Sequence, residues 1–293
     1  MRAAAELFSP AQCIICARAL VSSASEGGLC PVCLDYARVQ LTAFPCHWVH
    51  GSQSFPLNVP VDSAAWYAGI VPALLLGFKN GGRTDALSLL SSACADALLI
   101  SIGRALSAGE SGSLSMIHPG QKIAVLYPPS RSAALRARGY NPAQLLIEQA
   151  CDRLNSGQHP GSALLREFQI ELQPAPALSY VSGNFSARLM GALGLSSPVS
   201  SSSEAGAGGE QKSLNRAQRY RNAPRFVLAH GWASRLYQQP CLVFDDVLTS
   251  GATMQAALEC VHAAGAVPVG AVTLARVPDK HRALDARYVR VPE

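Results

Sequence analysis

The sequence predicts an α/β protein in which a mostly parallel sheet is flanked by helices and preceded by a small four-cysteine module. Short apolar runs typical of buried strands, at 123–127 and 241–244, alternate with stretches of helical periodicity. Two CxxC pairs precede these runs. The 293 residues are 49% hydrophobic, which is enough to bury a core and excludes a chain that is disordered throughout.

The charge and the pattern of apolar residues indicate the cellular location that we expect for the protein. The net charge is +5 and only 15% of residues are charged, which is far from a histone-like tail. The longest apolar stretch, 64–78, contains Pro72 and is shorter than the roughly 20 residues of a membrane span, so we expect it in the core. The N-terminus lacks a secretory signal pattern. We therefore expect a cytoplasmic protein, in which disulfides between its nine cysteines are not favoured.

The first cysteines are spaced for metal binding. Cys13 and Cys16 form one CxxC pair, and Cys30 and Cys33 form another. Each pair can direct two thiolates at one point, and four thiolates close a tetrahedral shell around Zn²⁺. A closed shell leaves no position for water, so the predicted role is structural, in a module of residues 1–45 that is too short to fold on its own core.

Other uses of these cysteines are less favoured. Cys46 and His47 lie just beyond the module and could replace a ligand, but neither belongs to a CxxC pair, and we interpret them as loop or core residues. A redox CxxC is expected between a strand and a helix and would not occur twice.

The next segment is predicted to hold a strand at 63–69 and a helix at 85–106. The residues at 77–83 lie between them and include a glycine pair beside Lys79 and Arg83. This segment could hold an anion, but its spacing alone favours an ordinary basic loop before the helix.

A strand at 123–127 is expected to end at Pro128, because proline has no amide to donate to the ladder. Asn141 and Pro142 are a typical N-cap and first residue of a helix. The stretch 122–140 holds four basic residues and no acidic one. Such a stretch is usually a solvated face, but here it follows a strand end, where open α/β sheets bind ligands.

The segment 167–195 shows no clean period, and 196–213 is rich in serine and glycine. Such composition indicates a flexible insert, which we place at about 167–212.

The segment 241–253 carries the most specific signal. An apolar strand is followed by two carboxylates and by a glycine-containing turn into a helix that ends at Gly265. A helix N-terminus of this kind exposes backbone amides and favours an anion. The two carboxylates cannot bind the same phosphate, so we expect them to contact sugar hydroxyls or hydrated Mg²⁺, although one of them could simply cap the turn. The residues concerned are Asp245, Asp246, Thr249, Ser250, Gly251, Ala252 and Thr253.

This segment resembles the phosphoribosyl pyrophosphate (PRPP) signature of type I phosphoribosyltransferases. The two CxxC pairs, Phe78-Lys79 with the following glycine pair, the RARGYN segment at 136–141 and the LNRAQRYRN segment at 214–222 together resemble the ComF/GntX family, which includes proteins linked to competence and DNA uptake. The chain departs from the family pattern in having Asn80 where tyrosine is usual, Tyr-Pro-Pro-Ser at 127–130, and the insert.

The resemblance implies a type I phosphoribosyltransferase fold at 60–293, with the 5′-phosphate of PRPP held by residues 249–253 and the ribose by Asp245 and Asp246, directly or through Mg²⁺. Arg131 would act with these carboxylates in catalysis by neutralising the pyrophosphate leaving group. Further PRPP contacts are implied for Lys79, Arg136 and Arg138.

The resemblance is compatible with two functions. The first is an enzyme that transfers a phosphoribosyl group from PRPP to an unidentified nitrogen nucleophile and releases pyrophosphate. The second is a non-catalytic protein that senses PRPP or a nucleotide, or handles single-stranded DNA in uptake with a competence-machinery partner; an oligomer is compatible with either. The best basic patch for DNA contains Arg216, Arg219, Arg221 and Arg225, but aromatic residues make up only 6% of the chain, so base-stacking platforms are not evident.

Overall fold

The structure is a computed structural model that describes residues 11–20, 26–51, 56–110, 117–130, 132–180, 225–279 and 283–292. Its helices are α1 (Pro31–Gln40), α2 (Val71–Asn80), α3 (Leu87–Glu110), α4 (Ser132–Arg138), α5 (Pro142–Asn155), α6 (Ser162–Glu167), α7 (Trp232–Leu236) and α8 (Ala252–Ala263). Its strands are β1 (Cys46–Val49), β2 (Val59–Trp66), β3 (Lys122–Leu126), β4 (Glu171–Ala175), β5 (Leu178–Tyr180), β6 (Phe226–Leu228), β7 (Pro240–Leu248) and β8 (Val267–Arg276).

Six strands form one mixed sheet in the order β1-β2-β8-β7-β3-β4. Only the β1–β2 pair is antiparallel, and the four other neighbouring pairs are parallel. Strands β5 and β6 form a separate antiparallel pair. The prediction of an α/β protein with a mostly parallel, helix-flanked sheet is confirmed.

The sheet is buried on both faces, as parallel sheets usually are. In β3, Ile123 and Val125 belong to the core that includes α3 and α5, whereas Ala124 and Leu126 belong to the core that includes α8. The chain passes from β3 to β4 in one direction along the sheet, and from β7 to β8 in the other. The boundary between β3 and β7 is therefore the topological switch point, outside which open α/β sheets bind ligands.

The four-cysteine module packs into the same apolar core as the helices beside the sheet. Cys33, Leu34 and Ala37 belong to the same apolar cluster as Leu74 and Leu98 of α2 and α3. The side chain of Gln40, at the end of α1, accepts a hydrogen bond from the Ile70 amide. The module is thus packed onto the sheet-and-helix body.

The segment around α2 differs from its prediction. The strand predicted at 63–69 begins earlier, at Val59, and ends at Trp66, while residues 77–80, predicted to lie in a loop, form the last turn of α2. Pro72 does not interrupt this helix, because it lies in the first turn, where its missing amide has no helical partner. The apolar stretch 64–78 is thus the end of a strand followed by a helix.

The prediction of a flexible insert starting at about residue 167 is wrong for its first residues, which include two strands. Residues 171–175 form β4, which pairs in parallel with β3, and residues 178–180 form β5. Asn155 holds the outer side of β4: its side-chain amide accepts a hydrogen bond from the Leu172 amide at 3.0 Å and donates one to the Leu172 carbonyl at 2.8 Å. The serine- and glycine-rich part of the insert lies outside the described residues.

Among the described residues, one helical stretch, Thr84–Ser107, is long and apolar enough to cross a membrane by length and composition, with a mean hydropathy of 1.7. Slightly more than half of this window is buried within the protein. Helix α3, which makes up most of the stretch, contacts β2, β8 and α5, as a core helix beside the sheet does.

Candidate functional site

The two carboxylates of the candidate site lie near the end of β7. The strand is longer than predicted, because pairing with β8 continues past both aspartates, with Asp245 opposite Thr273 and Leu248 opposite Arg276. Asp245 and Asp246 are partly buried, in contrast to the fully buried residues that precede them in the strand. Successive side chains of a strand point to opposite faces, so the two carboxylates leave the sheet on different sides.

A tight turn joins β7 to α8. Gly251 is the N-cap of α8 and has a φ of 80°, a left-handed conformation that glycine adopts without steric cost. The Gly251 carbonyl accepts the first bond of the helix from Gln255. Thr249 is exposed, Ser250 and Thr253 are partly exposed, and Gly251 and Ala252 are buried. The free amides of the first turn and the helix dipole make this position suitable for an anion.

The environment of Asp245 disfavours its charge. Burial and the neighbouring Asp246 carboxylate raise the pKa of Asp245 to about 7, although the Asp246 amide and Lys79 act in the opposite direction. The amide contact is a hydrogen bond of 2.8 Å from the Asp246 N–H to Asp245 Oδ1. The site therefore holds a carboxyl group that titrates near neutral pH, beside a second carboxylate.

Lys79 neutralises that second carboxylate. Its Nζ lies 2.6 Å from Asp246 Oδ2, and the side chains are 26% and 17% exposed. The pairing follows from α2, which places Lys79 on the side of the helix that faces β7. Spacing alone did not predict the contact, because residues 77–83 were expected to form a loop.

The end of β3 and the turn before α5 lie next to this cluster. Asn141 caps α5 by accepting a hydrogen bond from the Ala143 amide, and its side chain also donates to the Pro128 carbonyl at 3.3 Å. Tyr140 donates a hydrogen bond to the Phe78 carbonyl, and its ring lies 5.8 Å from the Phe78 ring. The structure thus brings together residues 78–79, 140–141 and the strand-end loop, which are far apart in sequence.

The predicted arginines are only partly described. Arg131 lies outside the described residues, and so do Arg216, Arg219 and Arg221 of the basic patch. Arg136 is exposed on α4, and Arg138 is half-buried at its end. Within the described part of the chain, neither of these two side chains forms an ion pair, and the buried Nε of Arg138 has no hydrogen-bond partner.

The four cysteines form a compact cluster with the geometry of a metal centre. The sulfur atoms of Cys13, Cys16, Cys30 and Cys33 all lie within 4.8 Å of one another, and the Cys16 and Cys30 sulfurs are 3.7 Å apart. A tetrahedron with bonds of about 2.3 Å places its sulfurs about 3.8 Å apart, so the cluster fits a metal such as Zn²⁺. Cys46 lies in β1 and is not part of this cluster.

The local backbone explains how the cluster forms. Cys13 and Cys16 lie in a tight turn closed by a hydrogen bond from the Ala17 amide to the Cys13 carbonyl, and Cys30 is the N-cap of α1. Burial raises the pKa of the Cys13 thiol, but hydrogen bonds from nearby amides outweigh it and bring the pKa to about 7. Burial and neighbouring thiols raise the pKa of Cys33. These contacts favour at least one thiolate, the form that binds metal.

Comparison with known proteins does not extend these observations. No protein-family model matches the chain, and no curated protein matches it significantly. The resemblance to ComF/GntX proteins and to phosphoribosyltransferases therefore stays a prediction from the motifs.

Proposed function

We propose that the protein binds PRPP and transfers its phosphoribosyl group to a nitrogen nucleophile, releasing pyrophosphate. One observation carries the proposal: Asp245 and Asp246 lie near the carboxyl end of the central strand β7, which leads after Leu248 into the glycine turn that opens α8. This arrangement lies at the switch point of the sheet, where both a phosphate and a sugar can be bound at once. The motif match at 241–253 supports the same ligand.

In the proposed complex, residues 249–253 hold the 5′-phosphate through backbone amides and hydroxyls. Asp245 and Asp246 contact the ribose hydroxyls, directly or through hydrated Mg²⁺. Arg131, together with Arg136 and Arg138 of α4, neutralises the pyrophosphate. The bond between C1 and the pyrophosphate oxygen breaks and leaves its electron pair on pyrophosphate, the acceptor nitrogen forms the new bond to C1, and the acceptor loses a proton.

Mg²⁺ fits this site by its donor chemistry, because Asp245 and Asp246 offer the hard oxygen atoms that this ion prefers. When bound with PRPP it would supply positive charge to the pyrophosphate. The four-cysteine centre has a different task in the proposal: we assign it structural Zn²⁺, because four thiolates leave no position for a reacting ligand.

Calorimetry with PRPP tests the binding. Wild-type protein should bind PRPP in the presence of Mg²⁺, and the double variant Asp245→Asn with Asp246→Asn should lose this affinity. Asp35→Asn is the matched control, because that carboxylate is 78% exposed on α1. Unchanged affinity in the double variant would contradict the proposal.

A screen of pyrophosphate release over nucleobases and small amines tests the transfer. Release that depends on one acceptor class supports the enzyme. PRPP binding without release from any acceptor supports a non-catalytic sensor. Binding of single-stranded DNA that weakens steeply with salt would indicate the DNA-handling alternative.

A further inference from the structure

Helix α2 lies between the four-cysteine cluster and the carboxylates of β7. Its buried face is formed by Val71, Leu74, Leu75 and Phe78. Gly77 and Lys79 are the neighbours of Phe78 in sequence and lie on either side of the buried face. They are separated by about 200° around the helix. One flank therefore faces the cysteine module and the other faces Asp246.

The contact on the module side is close. Ile14 lies inside the first CxxC pair, and its Cγ2 is 2.9 Å from the position that a Cβ on Gly77 would occupy. The Ile14 amide donates to the Gly28 carbonyl, which also accepts a long bond of 3.5 Å from Arg83 after α2. The module thus touches both the last turn of α2 and the turn that follows it.

The contact on the other side is the ion pair between Lys79 and Asp246. Between the two contacts, Phe78 is fully buried and its carbonyl is held by Tyr140. The last turn of α2 is therefore packed against the module, the core and the turn before α5 simultaneously, and it has little room to move without changing the position of Lys79.

We propose that Ile14 is a positioning residue for Lys79, acting through Gly77. The four-cysteine module packs on α2 and sets the position at which Lys79 reaches Asp246, so the module influences the electrostatics of a site that it does not touch. The proposal does not depend on the identity of the ligand at that site, and its test needs no substrate.

Lysine NMR reads the ion pair directly, because the chain has only four lysines, at positions 79, 122, 212 and 280. Reductive ¹³C-methylation keeps the positive charge and gives each lysine a separate signal. A Lys79→Arg variant identifies the Lys79 signal by its loss. Lys122, paired with Glu171 at the far end of β3, serves as an internal reference.

Substitutions at the contact form a double-mutant cycle. Gly77→Ala adds a methyl group where Ile14 already lies, and Ile14→Ala removes the contact, so each single variant should shift the Lys79 signal. In the double variant the new methyl group occupies space that the Ile14 side chain has vacated, although the pair then carries two side-chain carbons instead of four, so its Lys79 signal should return toward that of the wild type. Gly103→Ala is the control, because it places a methyl group on a helical glycine with open space around it.

Every variant is first checked for folding by circular dichroism and for metal content, and only folded, metal-loaded protein is compared. Shifts in both single variants, with recovery in the double variant and an unmoved Lys122 signal, support the proposal. A Lys79 signal that is unchanged in both single variants overturns it, and so does a shift that persists in the double variant. If Gly77→Ala does not fold, Ile14→Ala alone decides by the same signal.

Discussion

Replacing Asp245 by asparagine should stabilise the protein, and the gain should depend on pH. The carboxyl has a pKa raised to about 7 from its ordinary value of 3.8, because burial and the Asp246 carboxylate disfavour its charge. A folded-state pKa above the unfolded value means that ionisation costs folding free energy. That cost is absent below about pH 4, grows as the pH rises toward 7, and is constant above it.

The size of the effect follows from the two pKa values. Each unit corresponds to about 1.36 kcal/mol, so the cost is about 2 kcal/mol at pH 5.5 and about 4 kcal/mol at pH 8. Asparagine removes the charge and keeps an oxygen that accepts the hydrogen bond from the Asp246 amide. Asp245→Asn should therefore be more stable than the wild type by these amounts.

Urea unfolding of reduced, metal-loaded protein between pH 5.5 and 8.5 measures the difference. Asp35→Asn makes the same chemical change at an exposed carboxylate and should show little gain at any pH. A stability gain for Asp245→Asn that stays constant over this range, or a loss of stability, would refute the reasoning about the Asp245 carboxyl.

Three further substitutions test the metal centre, the ion pair and the helix cap. Cys33→Ala should reduce bound zinc from about one per chain to well below one in metal analysis, whereas Cys260→Ala, outside the cluster, should leave it unchanged. Lys79→Met should destabilise the protein by about 1–2 kcal/mol in urea unfolding, because it leaves a partly buried carboxylate unpaired. Lys122→Met, at an exposed pair, should cost clearly less than Lys79→Met, and an equal cost would contradict the reasoning. Asn141→Ala should cost about 1 kcal/mol in thermal unfolding, whereas Asn141→Asp keeps the cap and should cost less.

Features that depend on a few neighbouring residues could be predicted from the sequence. The strand at 123–127, the cap at Asn141, the end of α8 before Gly265 and the clustering of the four cysteines all follow from local chemistry, and the structure confirms them. The proximity of the carboxylates to the glycine turn could also be predicted, because the carboxylates and the turn belong to one continuous segment.

Features that depend on pairing between distant segments could not be predicted. Strand β4 is short and contains Pro174, so only its parallel pairing with β3 identifies it as a strand. The end of β7 is extended by its register with β8, which no local pattern encodes. The Lys79–Asp246 contact needs both the helical state of residues 77–80 and the position of α2 beside the sheet.

The contact between Asn155 and Leu172 has a consequence for self-association. An unpaired strand at the edge of a sheet offers amides and carbonyls to a strand of another molecule, and this is a common route to aggregation. At Leu172, both backbone groups are already bonded to the Asn155 side chain, which imitates a neighbouring strand. A single amide side chain therefore closes the centre of β4 to strand addition, at the edge of the sheet that the described residues form.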